Sequence, residues 1–279
     1  MNQLSLGGAP QLTPPSAARR ASSRSVLLIS ALLLSCLGAC ESEENVTQEP
    51  DQAIVEAIAE DQGAPLRISC ESPLEVLTLN LDDREYEIFR YEASHPEASL
   101  EEAYPGSTVR EDTPAAPLAE PCSQEGVIPW HSIRWSEAES ACEAIGWRLC
   151  SSAELTFACG GDEGYRYAWG NDYEGGVCNL LGVYSPGPEQ PAQASPCGLF
   201  EECESTTGGV DLNGNLWEWS ADRDSNDARA RHYQGGGWAV IAERHMESEQ
   251  QCDSVNVVRG ISAASFRARH LGFRCCRDR

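Results

Sequence analysis

The segment 208–219 carries the residue types of a hard-cation site. It reads GGVDLNGNLWEW, in which one acid stands on each side of a run that contains Asn and Gly. Carboxylate oxygens of Asp211 and Glu218, completed by carbonyl oxygens of the loop, suit a Ca²⁺ ion. An ordinary Asn-Gly turn followed by an aromatic strand accounts for the same letters. Both interpretations remain open at this stage.

Other groupings of reactive side chains are weaker. His232, His245 and His270 could converge on a metal with Glu243, although scattered histidines more often lie on the surface or in packing. No pair of cysteines has zinc-finger spacing. The vicinal pair Cys275-Cys276 suits two separate structural bridges better than a redox pair.

The N-terminus predicts export and a lipid anchor. Arginines at 19, 20 and 24 precede an apolar run, 26–37, that is shorter than the roughly 20 residues needed to span a bilayer. The run ends in Leu-Gly-Ala-Cys at 37–40, which resembles a bacterial lipobox. We therefore expect a signal peptide at 1–39, a lipidated Cys40 and an outer-membrane location. Plain secretion with cleavage near Ala39 is the alternative.

The charge argues against nucleic acid as a partner. The chain has 44 acidic residues, 20 arginines and no lysine, for a formal charge of −24. Removal of the signal peptide leaves 17 arginines against 44 acids, a charge of about −27. Nucleic-acid binding needs a basic face, which this composition does not supply.

Thirteen cysteines indicate disulfides in an oxidising compartment. Removing Cys36 with the signal peptide and using Cys40 for the lipid leaves eleven. Because this number is odd, at least one thiol is free or bonded to another chain.

The remaining chain divides into a tether and one domain. Residues 40–65 are acidic and poor in aromatics, as in a flexible tether, and roughly 215 residues, 66–279, can bury one core. Strands are predicted at 66–70, 76–81 and 86–91, and a long surface loop at 95–121. The rest reads as short strands and loops, an α+β pattern.

Two helices are predicted from capping signals. Ser136 and Glu139 form a capping box, and the helix runs to Ile145, where Gly146 stops it. Ser151 begins a second helix in the same way, and this helix ends before the glycines at 160–161.

Four ordered blocks resemble the formylglycine-generating enzyme (sulfatase-modifying factor) family. They are IFRYEAS at 88–94, WSEAESACEAIGWRLCSSAELTFACGG at 135–161, the Gly-Asn-x-Trp-Glu-Trp signature at 214–219, and GFRC at 272–275. The resemblance implies a loop-rich, disulfide-stapled α+β fold related to C-type lectins. It also implies the disulfides Cys142–Cys275 and Cys159–Cys252. Two further pairings, Cys150–Cys276 and Cys197–Cys203, are conceivable.

The resemblance implies that oxidase activity is absent. Family enzymes bind copper(I) through two cysteines that follow a Gly-Gly-Ser strand. Over the matching strand, 235–245, Gly237 stands in the serine position, and Val240 and His245 stand in the cysteine positions. Valine offers no ligand and one imidazole does not replace two thiolates, so we expect no copper and no catalytic residues. Iron-dependent relatives take histidines from an extra domain, for which 41–85 is too short.

The calcium sites of the family match this sequence better than its copper site does. One site would use the side chains of Asp211 and Glu218 with the carbonyls of Gly214 and Leu216. A weaker one would use Asn179 and the carbonyl of Leu180. Calcium would be structural, fixing loops whose carbonyls otherwise need other partners.

Two functional hypotheses follow. The first is a lipid-anchored, calcium-stabilised binding or scaffold domain whose groove, lined by Trp217 and Trp238, engages a peptide, glycan or protein. The second is a formylglycine-generating oxidase, or another metal-dependent oxidase on the same fold, with a different metal set.

Overall fold

Short strands joined by long loops make up the fold. The computed structural model describes residues 69–71, 73–107, 119–188, 190–224, 226–239, 247–259 and 265–279. These residues carry the α+β elements expected from the sequence, with strands of two to six residues and two helices of nine and ten. In chain order the elements are β1 Val76–Leu81, β2 Arg84–Phe89, β3 Ala93–Ser94, β4 Cys122–Ser123, α1 Trp135–Ala144, β5 Arg148–Leu149, α2 Ser152–Gly160, β6 Trp217–Trp219, β7 Arg231–Gln234, a 3-10 turn Glu247–Glu249, β8 Asn256–Val258, β9 Leu271–Phe273 and β10 Cys275–Asp278.

The first sheet joins the two ends of the domain. Its order is β1-β2-β10-β5, and all its pairs are antiparallel. Asp82 and Asp83 connect β1 to β2 with positive φ angles of 52° and 63°, as a two-residue hairpin turn requires. Because the turn takes only two residues, β2 begins at Arg84, and the predicted span 86–91 is wrong at both ends.

The second sheet holds the Trp-Glu-Trp segment. Its order is β8-β7-β6-β9, with β6 parallel to β9 so that Trp217 lies opposite Leu271. The strand predicted over 235–245 is wrong in its described part. The chain leaves β7 after Gln234 because Gly235 and Gly236 take positive φ angles of 96° and 78°. Residues 240–246 lie outside the described ranges.

Helix α1 begins one residue before the predicted cap. Its N-cap is Arg134, whose backbone N–H donates to a carboxylate oxygen of Glu137 at 2.8 Å. Ser136 therefore lies inside the helix and is not its cap. The helix ends at Ala144, one residue earlier than predicted, with Ile145 as its C-cap. Gly146 supplies the predicted stop, because it takes a φ of 75° and donates its N–H to the Glu143 carbonyl.

Helix α2 has the predicted capping box. The Ser151 hydroxyl accepts from the Glu154 N–H, and Glu154 accepts from the Ser151 N–H at 2.8 Å. The helix includes Gly160, one residue more than predicted, and Gly161 caps it with a φ of 64°.

The main hydrophobic core is rich in aromatic side chains and draws residues from both sheets and from α1. The indole N–H of Trp135 donates to the Ser220 carbonyl, and that of Trp219 donates to the Ile133 carbonyl. Trp130 and Phe273 meet edge to face at 5.8 Å. Large side chains that the core buries almost fully include Phe89, Leu149, Leu216, Trp217, Trp219, Leu271 and Phe273.

Five disulfides hold the described cysteines together. They are Cys70–Cys122, Cys142–Cys275, Cys150–Cys276, Cys159–Cys252 and Cys178–Cys203. The second and fourth are the pairs implied by the family resemblance. The pairing of Cys197 with Cys203 is wrong, because Cys203 bonds to Cys178 and Cys197 is a buried free thiol.

The predicted N-terminal features lie outside the described residues. These are the signal peptide 1–39 with Cys40, the tether 40–65, and residues 66–68 of the first predicted strand. Residues 69 and 70 carry no strand, and residues 95–107 of the predicted loop carry neither helix nor strand. Among the residues that the structure describes, no helix is both long enough and apolar enough to cross a bilayer.

Candidate cation site and the copper position

The loop before β6 is pinned by its left-handed residues. Asp211, Gly214 and Asn215 have φ angles of 56°, 90° and 53°, which Asp, Gly and Asn tolerate better than other residues. The Gly214 N–H donates to the Gly235 carbonyl and the Asn215 N–H to the Asn179 carbonyl, both at 2.8 Å. The loop is therefore tied to the segments on both sides of it.

Glu92, which lies between β2 and β3, anchors the same loop from a distant part of the chain. Its Oε1 accepts from the Leu216 N–H at 2.8 Å, and its Oε2 accepts from the side-chain amide of Asn215 at 2.6 Å. Asn215 is oriented in turn by the Ser195 N–H, which donates to its Oδ1 at 2.8 Å. The fully buried carboxylate of Glu92 thus takes the place of water as the acceptor for N–H groups of the loop.

Glu218 faces a buried guanidinium. Arg274 is fully buried, and its Nε lies 2.7 Å from Glu218 Oε1. The other guanidinium nitrogens donate to the backbone carbonyls of Phe89, Arg90 and Val210. One arginine therefore joins the GFRC block, the IFRYEAS block and the Trp-Glu-Trp block.

Three buried acids surround this single cation. Burial raises the pKa of Asp211 to about 6, and burial with the nearby charge of Asp211 holds the pKa of Glu92 well above its usual range. Burial also raises the pKa of Glu218, although Arg274 opposes the change. Asp211 Oδ1 is buried and has no hydrogen-bond partner among the described residues. The buried carboxyl groups and the unpartnered oxygen of Asp211 suit a bound cation, which would favour their ionised forms.

The structure brings together part of the predicted calcium ligand set. Asp211 and Glu218 are both buried, and Gly214 and Leu216 lie in the loop between them. Glu218 Oε1 already accepts a hydrogen bond from Arg274, whereas Asp211 Oδ1 has no partner among the described residues and is the more available metal ligand. At the weaker site, Asn179 Oδ1 accepts from the Tyr184 N–H, 3.2 Å away.

The predicted groove is wrong, because its two tryptophans are buried. Trp217 is 0% and Trp238 is 4% exposed. The Trp217 ring packs edge to face on Tyr233 and lies against the backbone of Gly237.

Gly237 has no room for a side chain. A Cβ built on it would lie 2.5 Å from Cδ1 and 2.8 Å from Nε1 of Trp217. Both distances are shorter than non-bonded atoms tolerate, and the tryptophan ring is held in the core. Val240, Glu243 and His245 lie outside the described residues.

Sequence reasoning missed the buried partners of the loop. Glu92 and Arg274 belong to blocks recognised by resemblance, but no role was assigned to either side chain. Cys197 was placed in a disulfide, whereas its Sγ lies 3.7 Å from Glu92 Oε2. Burial and then the charge of Glu92 hold the pKa of this thiol well above its usual range. The remaining histidine candidates, His232 and His270, join no three-ligand group in the described part of the chain.

Comparison with known proteins decides the family. Residues 44–279 match the model of the sulfatase-modifying factor enzyme 1-like domain. The chain belongs to this family. Within the sulfatase-modifying factor family, the chain is similar to relatives of two kinds. It is 28% identical over 154 residues to the inactive C-alpha-formylglycine-generating enzyme 2 of Bos taurus, over 53% of this chain and 50% of the relative.

The second kind of relative carries the name of the enzyme. The chain is 26% identical over 171 residues to the formylglycine-generating enzyme of Streptomyces coelicolor, over 52% of this chain and 51% of that protein. This sulfatase-modifying factor chain thus spans about half the length of the curated relatives it matches. The crystal structure of CarF shares the fold, with a TM-score of 0.52 at 16% identity, over 74% of this chain and 99% of CarF.

Proposed function

We propose that this chain is an exported, lipid-anchored module of the sulfatase-modifying factor family that lacks formylglycine-generating activity. It acts as a calcium-stabilised binding or scaffold domain for a peptide, glycan or protein partner. The packing of Trp217 on Gly237 carries the proposal, because it leaves no space for the serine expected there in an active enzyme.

The cysteines support the absence of copper chemistry. Ten of the eleven cysteines in the described ranges form disulfides, and the eleventh, Cys197, is buried. The sequence has no cysteine between Cys203 and Cys252, and Cys252 is bonded to Cys159. A copper(I) site of two thiolates cannot form from these residues.

The inactive relatives support the same conclusion, although membership alone does not decide it. The Bos taurus and Mus musculus relatives are both named inactive, whereas the Streptomyces coelicolor relative is named as the enzyme. The family therefore includes proteins named as active and as inactive, and the absence of cysteine at positions 240 and 245 of this chain favours an inactive one.

Calcium would stabilise the loop at 208–219. The unpartnered Oδ1 of Asp211 and the burial of Glu92 and Asp211 beside one another are the observations in its favour. Calcium at 100 times its Kd would raise the free energy of unfolding by about 2.7 kcal/mol. We expect Asp211→Asn to abolish this gain and Glu101→Gln, a change of an exposed acid, to leave it intact. Urea unfolding with calcium or chelator measures the difference.

The decisive experiment tests oxidation of a cysteine peptide. A peptide containing Cys-x-Pro-x-Arg is incubated with the purified, disulfide-bonded protein, copper(I), calcium and oxygen, and is followed by mass spectrometry. An active family enzyme is the positive control. We expect no conversion to formylglycine. Conversion would overturn the proposal in favour of an oxidase with a different metal set, beginning with His245.

The anchor has its own test. Cys40→Ser should move the protein from the membrane fraction to the soluble fraction and abolish incorporation of labelled fatty acid. If the unchanged protein incorporates no fatty acid, the anchor is refuted, whereas the proposed loss of oxidase activity is unaffected.

A further inference from the structure

Side chains from three distant segments meet at one buried point beside the cation loop. Glu92 follows β2, Cys197 lies in the loop before Gly198, and Asp211 opens the segment that leads to β6. One carboxylate oxygen of each acid and the Cys197 Sγ all lie within 4.8 Å of one another. The three residues are 0%, 1% and 1% exposed, so bulk water does not solvate these groups.

One carboxylate oxygen of Asp211 has no partner. Asp211 Oδ2 accepts from the Gly198 N–H at 2.7 Å, whereas Oδ1 is buried without a hydrogen-bond partner in the described part of the chain. Buried acceptors of this kind are rare in native proteins, because losing water without a replacement is costly.

The cluster also lacks a hydrogen-bonded cation. Arg274 donates to Glu218 and to three backbone carbonyls, and not to Glu92 or Asp211. The hydrogen bonds that these two carboxylates receive come from backbone N–H groups, the amide of Asn215 and the Cys197 thiol, whose Sγ lies 3.7 Å from Glu92 Oε2. Two buried acids thus share a site in which neutral dipoles are the hydrogen-bond donors.

We propose that Glu92, Cys197 and Asp211 form a buried site for a zinc-type divalent ion. Zinc accepts a thiolate together with carboxylate oxygens, and it is commonly four-coordinate, so a loop carbonyl or water would complete the set. Calcium takes oxygen ligands and gains nothing from sulfur. The thiol of Cys197 is what separates this site from the oxygen-only loop site.

Metal binding at this site releases the thiol proton of Cys197. The Cys197 S–H bond breaks, its proton passes to solvent, and the sulfur electron pair forms the bond to the metal, with no change in oxidation state. The site shares Asp211 with the proposed calcium loop, but it does not depend on calcium binding there.

The test uses the full chain with its disulfides formed and with Cys36→Ser and Cys40→Ser. Cys197 is then the one cysteine outside the disulfides. Cobalt(II) is titrated into the metal-free protein, and zinc is then added to displace it. We expect one equivalent of cobalt to give a sulfur-to-cobalt charge-transfer band. Cys197→Ser should remove the band and weaken zinc binding at least about tenfold, whereas Glu101→Gln should change neither.

A second measurement does not depend on the folding of a cluster variant. X-ray absorption of the zinc-loaded protein should show one sulfur neighbour at about 2.3 Å with oxygen neighbours at about 2.0–2.2 Å. A zinc shell without sulfur overturns the proposal, and so does a cobalt band that persists in Cys197→Ser.

The outcomes separate this inference from the calcium proposal. Stabilisation by calcium with no thiolate band refutes the zinc-type site and leaves the calcium loop standing. A thiolate band with no effect of calcium supports the zinc-type site and refutes the calcium loop. If neither ion binds, both proposals fail.

Discussion

His131 should make the domain less stable in mild acid. Its side chain is fully buried, with Nδ1 3.0 Å from the Ser132 hydroxyl and Nε2 without a hydrogen-bond partner among the described residues. Burial, with repulsion from Arg269, lowers the pKa of His131 to about 4. The ring is therefore neutral in the folded protein at pH values where an exposed histidine is already protonated.

The size of the effect follows from the difference in pKa. An unfolded histidine has a pKa of about 6.5, so between pH 6.5 and pH 4 the unfolded state binds a proton that the folded state does not. Stability contributed by the neutral ring is therefore present above pH 6.5 and is lost as the pH falls. At pH 4 the loss amounts to about 3 kcal/mol, at 1.36 kcal/mol for each unit of pKa shift.

Urea unfolding of the wild type and His131→Gln measures this loss. Both proteins are unfolded with disulfides intact from pH 7.5 to pH 4. Asp211, whose pKa is raised to about 6, acts with the opposite sign but is common to both. The free energy of unfolding of the wild type should therefore fall by about 3 kcal/mol relative to the variant. A difference that stays constant over this pH range would refute the reasoning.

Three other substitutions test the contacts around the site. Arg274→Met leaves Glu218 buried without its partner and should lower the free energy of unfolding by about 3–5 kcal/mol, of which added Glu218→Gln should restore a part. Replacing Cys70 and Cys122 by alanine removes a bridge across 52 residues and should cost about 2–4 kcal/mol, seen as a lower urea midpoint. Gly214→Ala should cost about 1–3 kcal/mol, because the φ is 90° and the added Cβ would lie 2.9 Å from the Asn179 carbonyl oxygen. An unchanged midpoint in any of the three would contradict the contact concerned.

Local signals in the sequence predicted the elements that depend on local chemistry. The capping box at Ser151 and the stop at Gly146 act within one helical turn, so they are visible in a few letters. The same reasoning placed a cap at Ser136, whereas the N-cap is Arg134 and the capping box uses Glu137. The fold class follows from the order of the four blocks.

Long-range packing was not predictable from the letters alone. The sequence distinguishes neither a buried tryptophan from one that lines a groove, nor which of several cysteines is left free. Trp217 is buried because Gly237, twenty residues later, offers no Cβ to keep it out. Cys197 is free because Cys203 meets Cys178 instead. Both outcomes depend on contacts between segments that are separated along the chain.

The position of Arg274 explains why the resemblance to the family predicts the fold of this chain but does not decide its activity. Arg274 binds Glu218 and the carbonyls of Phe89, Arg90 and Val210, and Glu92 binds the loop between them. Three of the four blocks that resemble the family therefore meet in one buried network that holds the two ends of the domain together. This network is complete without any side chain at Gly237. The packing that makes the blocks recognisable therefore does not depend on a side chain at this position, and the resemblance persists whether or not the chain is an oxidase.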